Sequence, residues 1–584
     1  MGKWDLSILY NGIDTEEFKN DLSDLDKSIE EQHEFAAKCD TLDKKSLLYG
    51  YIKGAEKANE LASKLIIYLN LRYSADTRDV EAASMLGRIM NSLSNTAADN
   101  AKISKAIAAI EDLEEIIDGE PELHDYKYHL LNIKRDNIHL LGDKEEEVFA
   151  KLSISGASAW SDMHSSLTSG LKVQYGDEVI NLSSVRNLAY SPDGEIRKKA
   201  YEAELKAYDQ IKDAVAFALN SIKLQVLNEC ELRGYESPLD KALSDSRMTK
   251  ETLDALLLAM EEYLPVFRKY LRAKAKALGH EGGLPWYDLF APMGKSDTVY
   301  TVDEAKEYLL GIFGSFDKEL HDMVKCAFEE GWIDFFPRDG KVGGAFDCGV
   351  PSAKVSRVLT NFDGSFSDVV TLAHELSHSF HDRQVFSHSI LNQDYSMPVA
   401  ETASTFNEVL VMNSAIKRTT DKDEKIALIE GQLMDACQII CDIYSRFTFE
   451  KSVFDNRPNE FMSADKFCEL MLAAQKKAYG DGLDESCMHP YMWLCKGHYY
   501  SGGLSYYNFP YAFGGLFARG LYAKYEEEGE PFVATYKKLL NTTSIADVED
   551  TAKIAGVDLT SPDFWRAGLK TIADEIDLFC ELVK

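Results

Sequence analysis

The sequence predicts a mainly α protein with one small β-sheet set into it, and three observations lead there. Proline is scarce, 14 in 584 residues, while Ala, Leu, Glu and Lys are abundant. Apolar residues recur at three- and four-residue spacing through most of the chain. Between Gly279 and Gly364, by contrast, glycine and proline thicken and the helical period lapses.

The elements follow in order. From Glu16 to about Leu278 the pattern is helix after helix, with continuous stretches over 53–71, 93–117 and 196–229. Tyr190-Ser-Pro-Asp-Gly194 is a turn between two of them. The segment 279–364 mixes turns with short extended runs, and 355–361 (Val-Ser-Arg-Val-Leu-Thr-Asn) reads as a strand. Long helices resume after Gly364, opened by Ser365-Phe-Ser-Asp368, a capping box with Asp in place of Glu. No fixed repeat and no linker of Pro, Gly and Ser divides the chain.

Charge and cysteine usage narrow the function. Lys and Arg total 64 against 97 Asp and Glu, a formal charge of -33. Such a surface repels polyphosphate and anionic lipid, so neither nucleic acid nor membrane is an expected partner; cationic peptides are weakly favoured. The acidic, polar opening stretch has no secretion pattern, and no apolar run reaches membrane-spanning length. The ten cysteines lack Cys-x-x-Cys spacing, and Cys437 and Cys441 read as core packing. The expected compartment is the cytoplasm. Gly294-Lys295-Ser296 imitates a phosphate loop, but Leu289 stands where that motif needs glycine.

Chemistry concentrates in one segment, His374-Glu-Leu-Ser-His378. On a helix, residues four apart share a face, so His374 and His378 can offer two imidazole nitrogens to one metal. Glu375, turned away by about a third of a turn, need not ligate and is suited to be a base toward water. A catalytic zinc asks for a third protein ligand. Glu401 is the first candidate, on a helix announced by Ser396 and Pro398, with Glu408 two turns on to hold a ligand histidine by its other nitrogen. His381, Asp382 and His388 are rival third ligands. Downstream, His498-Tyr-Tyr500 and Tyr506-Tyr507-Asn-Phe-Pro-Tyr511 form an aromatic run that could stabilise an oxyanion or simply pack.

These residues resemble oligoendopeptidase F, of the thimet oligopeptidase family of zinc metallopeptidases. The match is carried by Thr371-Leu-Ala-His-Glu-Leu-Ser-His-Ser379, Ala400-Glu-x-Ala-Ser404 and Ser404-Thr-Phe-Asn-Glu408, with weaker echoes at Trp286-Tyr-Asp288 and Gly343-Gly-Ala-Phe346. It runs from about Leu123 to the C-terminus. Ser377 replaces the usual glycine, and the distance from His498 to the tyrosines is longer than in the family pattern.

The resemblance implies an elongated helical enzyme with a deep internal channel and a small β-sheet beside the zinc helix. It implies an N-terminal helical region over 1–190 and a zinc metallopeptidase catalytic domain over 191–584. One zinc ion per chain would be held by His374, His378 and Glu401, with Glu375 as base and Glu408 behind a ligand. His498, Tyr507 and Tyr511 would bind substrate and the oxyanion, and 355–361 would be the edge strand that pairs with substrate backbone. The implied reaction is hydrolysis of internal bonds in short unstructured peptides. A zinc carboxypeptidase or dipeptidyl carboxypeptidase of similar fold is the near alternative, and an inactive peptide-binding protein the remote one.

Overall fold

A computed structural model describes residues 2–295 and 298–584; Ser296 of the phosphate-loop look-alike falls outside them. Helices dominate, as expected. The chain opens with an antiparallel pair, α1 (Glu16–Lys38) and α2 (Lys44–Ala75), each started by a side-chain cap, Thr15 and Asp43.

Two expected long helices are broken. The stretch 93–117 is divided among Val80–Ser94, Ala97–Ala108 and Leu113–Gly119; Thr96 turns its hydroxyl onto the Leu93 carbonyl at the first break, and Asp112 bonds Lys44 at the second. The stretch 196–229 breaks between Tyr208 and Lys212, where Asp209 bonds Tyr491 and pairs with Lys212. A β-hairpin, β1 (Lys172–Tyr175) and β2 (Glu178–Asn181), interrupts the helical run. Its turn is Gly176-Asp177, with Gly176 at φ +59° as a tight two-residue connection requires.

The predicted sheet is present. Strands β3 (Ile333–Asp334), β4 (Phe346–Val350) and β5 (Val355–Leu359) lie in the order β3-β5-β4, with β3 parallel and β4 antiparallel to β5. The segment 355–361 is therefore no edge. Its Val358 and Leu359 pair on one side with the buried Ile333 and Asp334 and on the other with Asp347 and Phe346, and are themselves fully buried. The edges are β3 and β4. Around buried Asp334, Arg338 and Lys341 at 2.5 and 2.7 Å neutralise the charge that the sheet encloses.

Three cores hold the chain. The largest runs from Ala157 to Phe579. It joins α3 (Lys250–Ala277), α4 (Phe366–Val385), α5 (Thr402–Arg418), α6 (Lys422–Cys437), α7 (Phe509–Glu528) and α8 (Pro562–Leu582). Cys437 and Cys441 are buried in it as unbridged thiols. A second core packs α1 and α2 residues such as Phe18, Leu65 and Leu69 against Val350 and Leu359 of the sheet. A third, around Leu48, Ile107 and Leu130, belongs to the N-terminal helices alone.

Candidate metal centre

Helix α4 starts with the Ser365–Asp368 capping box, both reciprocal bonds being made. It buries Val369, Leu372, Ala373, Leu376 and Phe380 on one face, which turns His374 and His378 toward α5. The Ser396 start is also real but short: Met397–Ala400 forms one turn, then the backbone breaks at Glu401 (φ -88°, ψ 9°), which sits at the N-cap of α5. The break does not separate the two glutamates functionally. Glu401 and Glu408 reach the same imidazole from opposite sides.

The distances define a compact donor set. His374 Nε2 and His378 Nε2 are 3.2 Å apart, and each is 3.4 Å from Glu401 Oε2. Among the described residues these three form the group whose ligand atoms converge. A tetrahedral ion with bonds of about 2.0–2.1 Å spaces its donors about 3.3–3.4 Å apart, so this triangle fits zinc. His374 Nδ1 lies 3.0 Å from Glu408 Oε1, which fixes the ring and leaves Nε2 facing the triangle. Ser404 donates to Glu401 Oε2 at 2.7 Å.

The electrostatics follow from this crowding. Burial disfavours a charged His374, but Glu408 and Glu401 outweigh it and lift the ring to about 9. Burial likewise opposes the Glu401 carboxylate, yet His378, His374 and Ser404 hold it at about 2. Glu375 is buried, and burial raises its carboxyl against the pull of the two histidines.

The rival ligands are engaged elsewhere. His381 is fully buried, stacks on Tyr395 at 4.3 Å and bonds Thr543 through Nε2 at 2.8 Å; burial drives it down to about 3. His388 Nε2 bonds the Asn541 carbonyl. Asp382 accepts from Tyr395 at 2.9 Å and faces Asp347 of β4, which accepts from Ser379 at 2.6 Å. Burial raises both carboxyls, and the Asp382 charge adds to the rise at Asp347.

The aromatic run is brought to the same region. Tyr507 and Tyr511 share a hydroxyl hydrogen bond of 2.6 Å, and the Glu401 charge helps burial raise the Tyr511 phenol. Tyr506 takes a left-handed φ of +53° and is anchored through its N–H to Glu450, which turns Tyr507 off the core. His498 lies beside Tyr507, ring centres 5.7 Å apart, and Nε2 is 2.8 Å from Asn508 Nδ2. Because Arg446 donates to Asn508 Oδ1 at 3.1 Å, the amide nitrogen faces His498 and donates to Nε2, leaving the proton on Nδ1. Burial together with Arg446, Lys223 and Lys496 keeps this ring neutral, at about 2.

Several contributors carry no sequence signal of their own. Asp347, Tyr395, Asn508 and Arg446 are polar residues without a motif. Gly514 of α7 is another: a Cβ there would lie 3.1 Å from the Pro398 carbonyl and 3.3 Å from Glu401 Cβ, so glycine lets α7 close over the Glu401 turn.

A helix-borne His-Glu-x-x-His segment joined by a glutamate from the following helix, in a helical body with only small sheets, defines a class: the chain is a metallopeptidase. It belongs to peptidase family M3, whose sequence profile matches residues 187–571; that of oligopeptidase F matches 108–172. Oligopeptidase PepF of Bacillus subtilis (strain 168) is 27% identical over 92% of this chain and 81% of its own length. Group B oligopeptidase PepB of Streptococcus agalactiae is 24% identical over 98% and 96%. Among solved structures, a Chlamydophila abortus chain described as a peptidase superposes with TM-score 0.86 at 22% identity, covering 100% of this chain and 98% of that one. Oligoendopeptidase F from Enterococcus faecium gives 0.71 at 18% identity, over 97% and 99%. The family and its named relatives make the chain a metallo-oligopeptidase of the endopeptidase type.

Proposed function

We propose that the chain hydrolyses internal bonds of short, unstructured peptides with one zinc ion held by His374, His378 and Glu401. The observation that carries this is the triangle of Nε2, Nε2 and Oε2 atoms at 3.2–3.4 Å. When bound, zinc supplies Lewis-acid polarisation of the scissile carbonyl and of the attacking water.

The protein's own residues do the rest. Glu375, whose carboxyl burial raises, takes the proton of the attacking water and returns it to the leaving amine nitrogen. Glu408 holds His374 in one tautomer and orientation. The neutral His498, with its proton on Nδ1, and the one free proton of the Tyr507–Tyr511 pair are donors for the oxyanion. The free edge of β4, beside Glu375, takes over the substrate-strand role expected of 355–361.

The donor side chains keep 18–30% of their surface accessible although helices enclose them, which supports a recessed site reached by thin, unfolded chains. The division into an N-terminal helical region (1–190) and a catalytic domain (191–584) is supported by the family match beginning at 187. No helix among the described residues is long and apolar enough to cross a membrane. With ten unbridged cysteines, a reducing cytoplasmic setting is the proposed one.

The test is a pool of peptides of graded length incubated with wild type, chelator-treated protein and Glu375→Gln, with products read by mass spectrometry. Expected are internal cuts confined to short peptides, lost on chelation, and slowed about a thousandfold or more in Glu375→Gln while zinc is retained. Terminal trimming would instead favour a carboxypeptidase. Near-normal turnover in Glu375→Gln would sink the assignment.

A further inference from the structure

A cavity of about 340 Å³, lined among others by Arg186, Glu204, Asp435, Asp442 and Lys496, is used by none of the roles above. It is large enough for the end of a peptide. Its wall reaches the site through two short routes. Asp442 pairs with Arg446 and so, through Asn508, with His498; Asp435 feels the charge of Glu408, the partner of His374.

Its lining holds unmet polar capacity. Lys496, two residues before His498, projects here with no hydrogen bond or ion pair among the described residues. Burial and the neighbouring Arg446 press its ammonium below the usual lysine range. Arg186, which does have a carboxylate partner in Glu204, adds a second cation to the same wall. Tyr479 and His489 line the cavity too; both are almost completely buried, and the Tyr479 hydroxyl and His489 Nδ1 have no partner.

Lys496 is half-buried, and the carboxylate that draws on it, Asp442, lies beyond ion-pair distance and is itself paired with Arg446, so the ammonium keeps capacity for a further anion. The group that would satisfy it is a carboxylate, with Tyr479 and His489 free to bond the adjoining amide. Short peptides bring that group to the site as their C-terminus, or on an Asp or Glu side chain.

We propose that this cavity is a carboxylate-binding subsite of the peptide substrate, with Lys496 as its anchor. The inference rests on the peptidase reading above. It makes the enzyme sense a charged group at a set distance from the bond it cuts.

The experiment uses zinc-loaded full-length enzyme and a cleavable peptide in four forms: free acid or C-terminal amide, each with an internal Glu or Gln. In wild type, neutralising the recognised carboxylate lowers kcat/KM about tenfold or more. Loss on amidation assigns the chain terminus as the source; loss on Glu→Gln in the peptide assigns the side chain. Equal kcat/KM for all four forms overturns the proposal, and it does so even if the Lys496 variant fails to fold. In Lys496→Met the ratio falls toward one; a retained ratio removes Lys496 from the role. Cleavage of no form, or persistence of cleavage in Glu375→Gln, would instead count against the peptidase mechanism itself.

Discussion

Replacing Glu408 with alanine separates two things this carboxylate does to His374, and they have opposite signs. In the metal-free protein burial opposes the imidazolium, while Glu408 at 3.0 Å and Glu401 lift the ring from 6.5 to about 9. At 1.36 kcal/mol per unit, that shift of about 2.5 units is worth about 3.4 kcal/mol, an upper bound for a side chain 25% exposed. A metal donor must be neutral, so zinc arriving at pH 7 has to expel a proton held about 2 units above ambient, which costs about 100-fold in apparent affinity. Above pH 9 that competition is gone and only orientation counts, where losing such a partner costs about 10–100-fold. Glu408→Ala should therefore weaken zinc by about 10–100-fold at pH 9.5 and by far less at pH 6.5, because the variant loses proton competition along with orientation. Glu408→Gln keeps an acceptor for Nδ1–H and removes the charge, so it isolates the proton term. Zinc affinity is measured by competition with a chromophoric chelator from pH 6 to 9.5. In wild type the contribution of this ring rises with pH until about 9, and in either variant it levels off nearer 7. Superimposable pH profiles for the three proteins would refute the reasoning.

Three further outcomes are expected. Lys223 and Glu450 are a fully buried pair at 2.6 Å, and Glu450 also accepts the Tyr506 N–H. Lys223→Met should destabilise by about 3–5 kcal/mol in chemical unfolding, with much of the loss recovered in Lys223→Met/Glu450→Gln; a loss below about 1 kcal/mol would contradict it. His129, held down to about 4 by burial and Arg247, is a group whose folded form resists protonation. Between about pH 6.5 and 4 the unfolded chain binds the extra proton, so stability falls as pH falls through that window, by at most about 3 kcal/mol. His129→Gln, which can still accept from Tyr51, should flatten that limb; parallel unfolding energies at pH 7, 5.5 and 4.5 would discard the idea. Gly514→Ala pushes a methyl group against Glu401 and should lower kcat about three- to tenfold with little change in global unfolding, whereas unchanged kcat would show that the turn yields freely.

What the sequence could reveal follows the range of the interactions. His374 and His378 lie four residues apart on one helix, and Ser365 caps it within three, so both were legible in local spacing. The choice among Glu401, His381, Asp382 and His388 was not, because it depends on Tyr395, Thr543, Asn541 and Asp347, partners supplied by other elements. For the same reason 355–361 could be recognised as a strand but not as the central one: its second neighbour, Ile333–Asp334, is two residues long and has no pattern to announce it. The breaks at Asn95-Thr96 and Asp209 are small local signals inside strong helical periodicity. The Gly176-Asp177 hairpin was visible in principle, as a two-residue turn between alternating apolar residues. Lys496 carries no motif at all; only its place on the cavity wall without a hydrogen-bond partner singles it out.

The core that joins α1 and α2 to the sheet also sets a schedule. Its first members, from Trp4 to Ile89, leave the ribosome early, but Val350 and Leu359, which complete it, follow only after about 260 more residues. At ordinary rates of synthesis that is a delay on the order of 10–50 s. Throughout it the part of this core that Val350 and Leu359 close stays open, so the N-terminal helices wait as a sticky half-interface. The nascent chain is thus most exposed to aggregation, and most in need of a chaperone, well before any of its catalytic residues has been made.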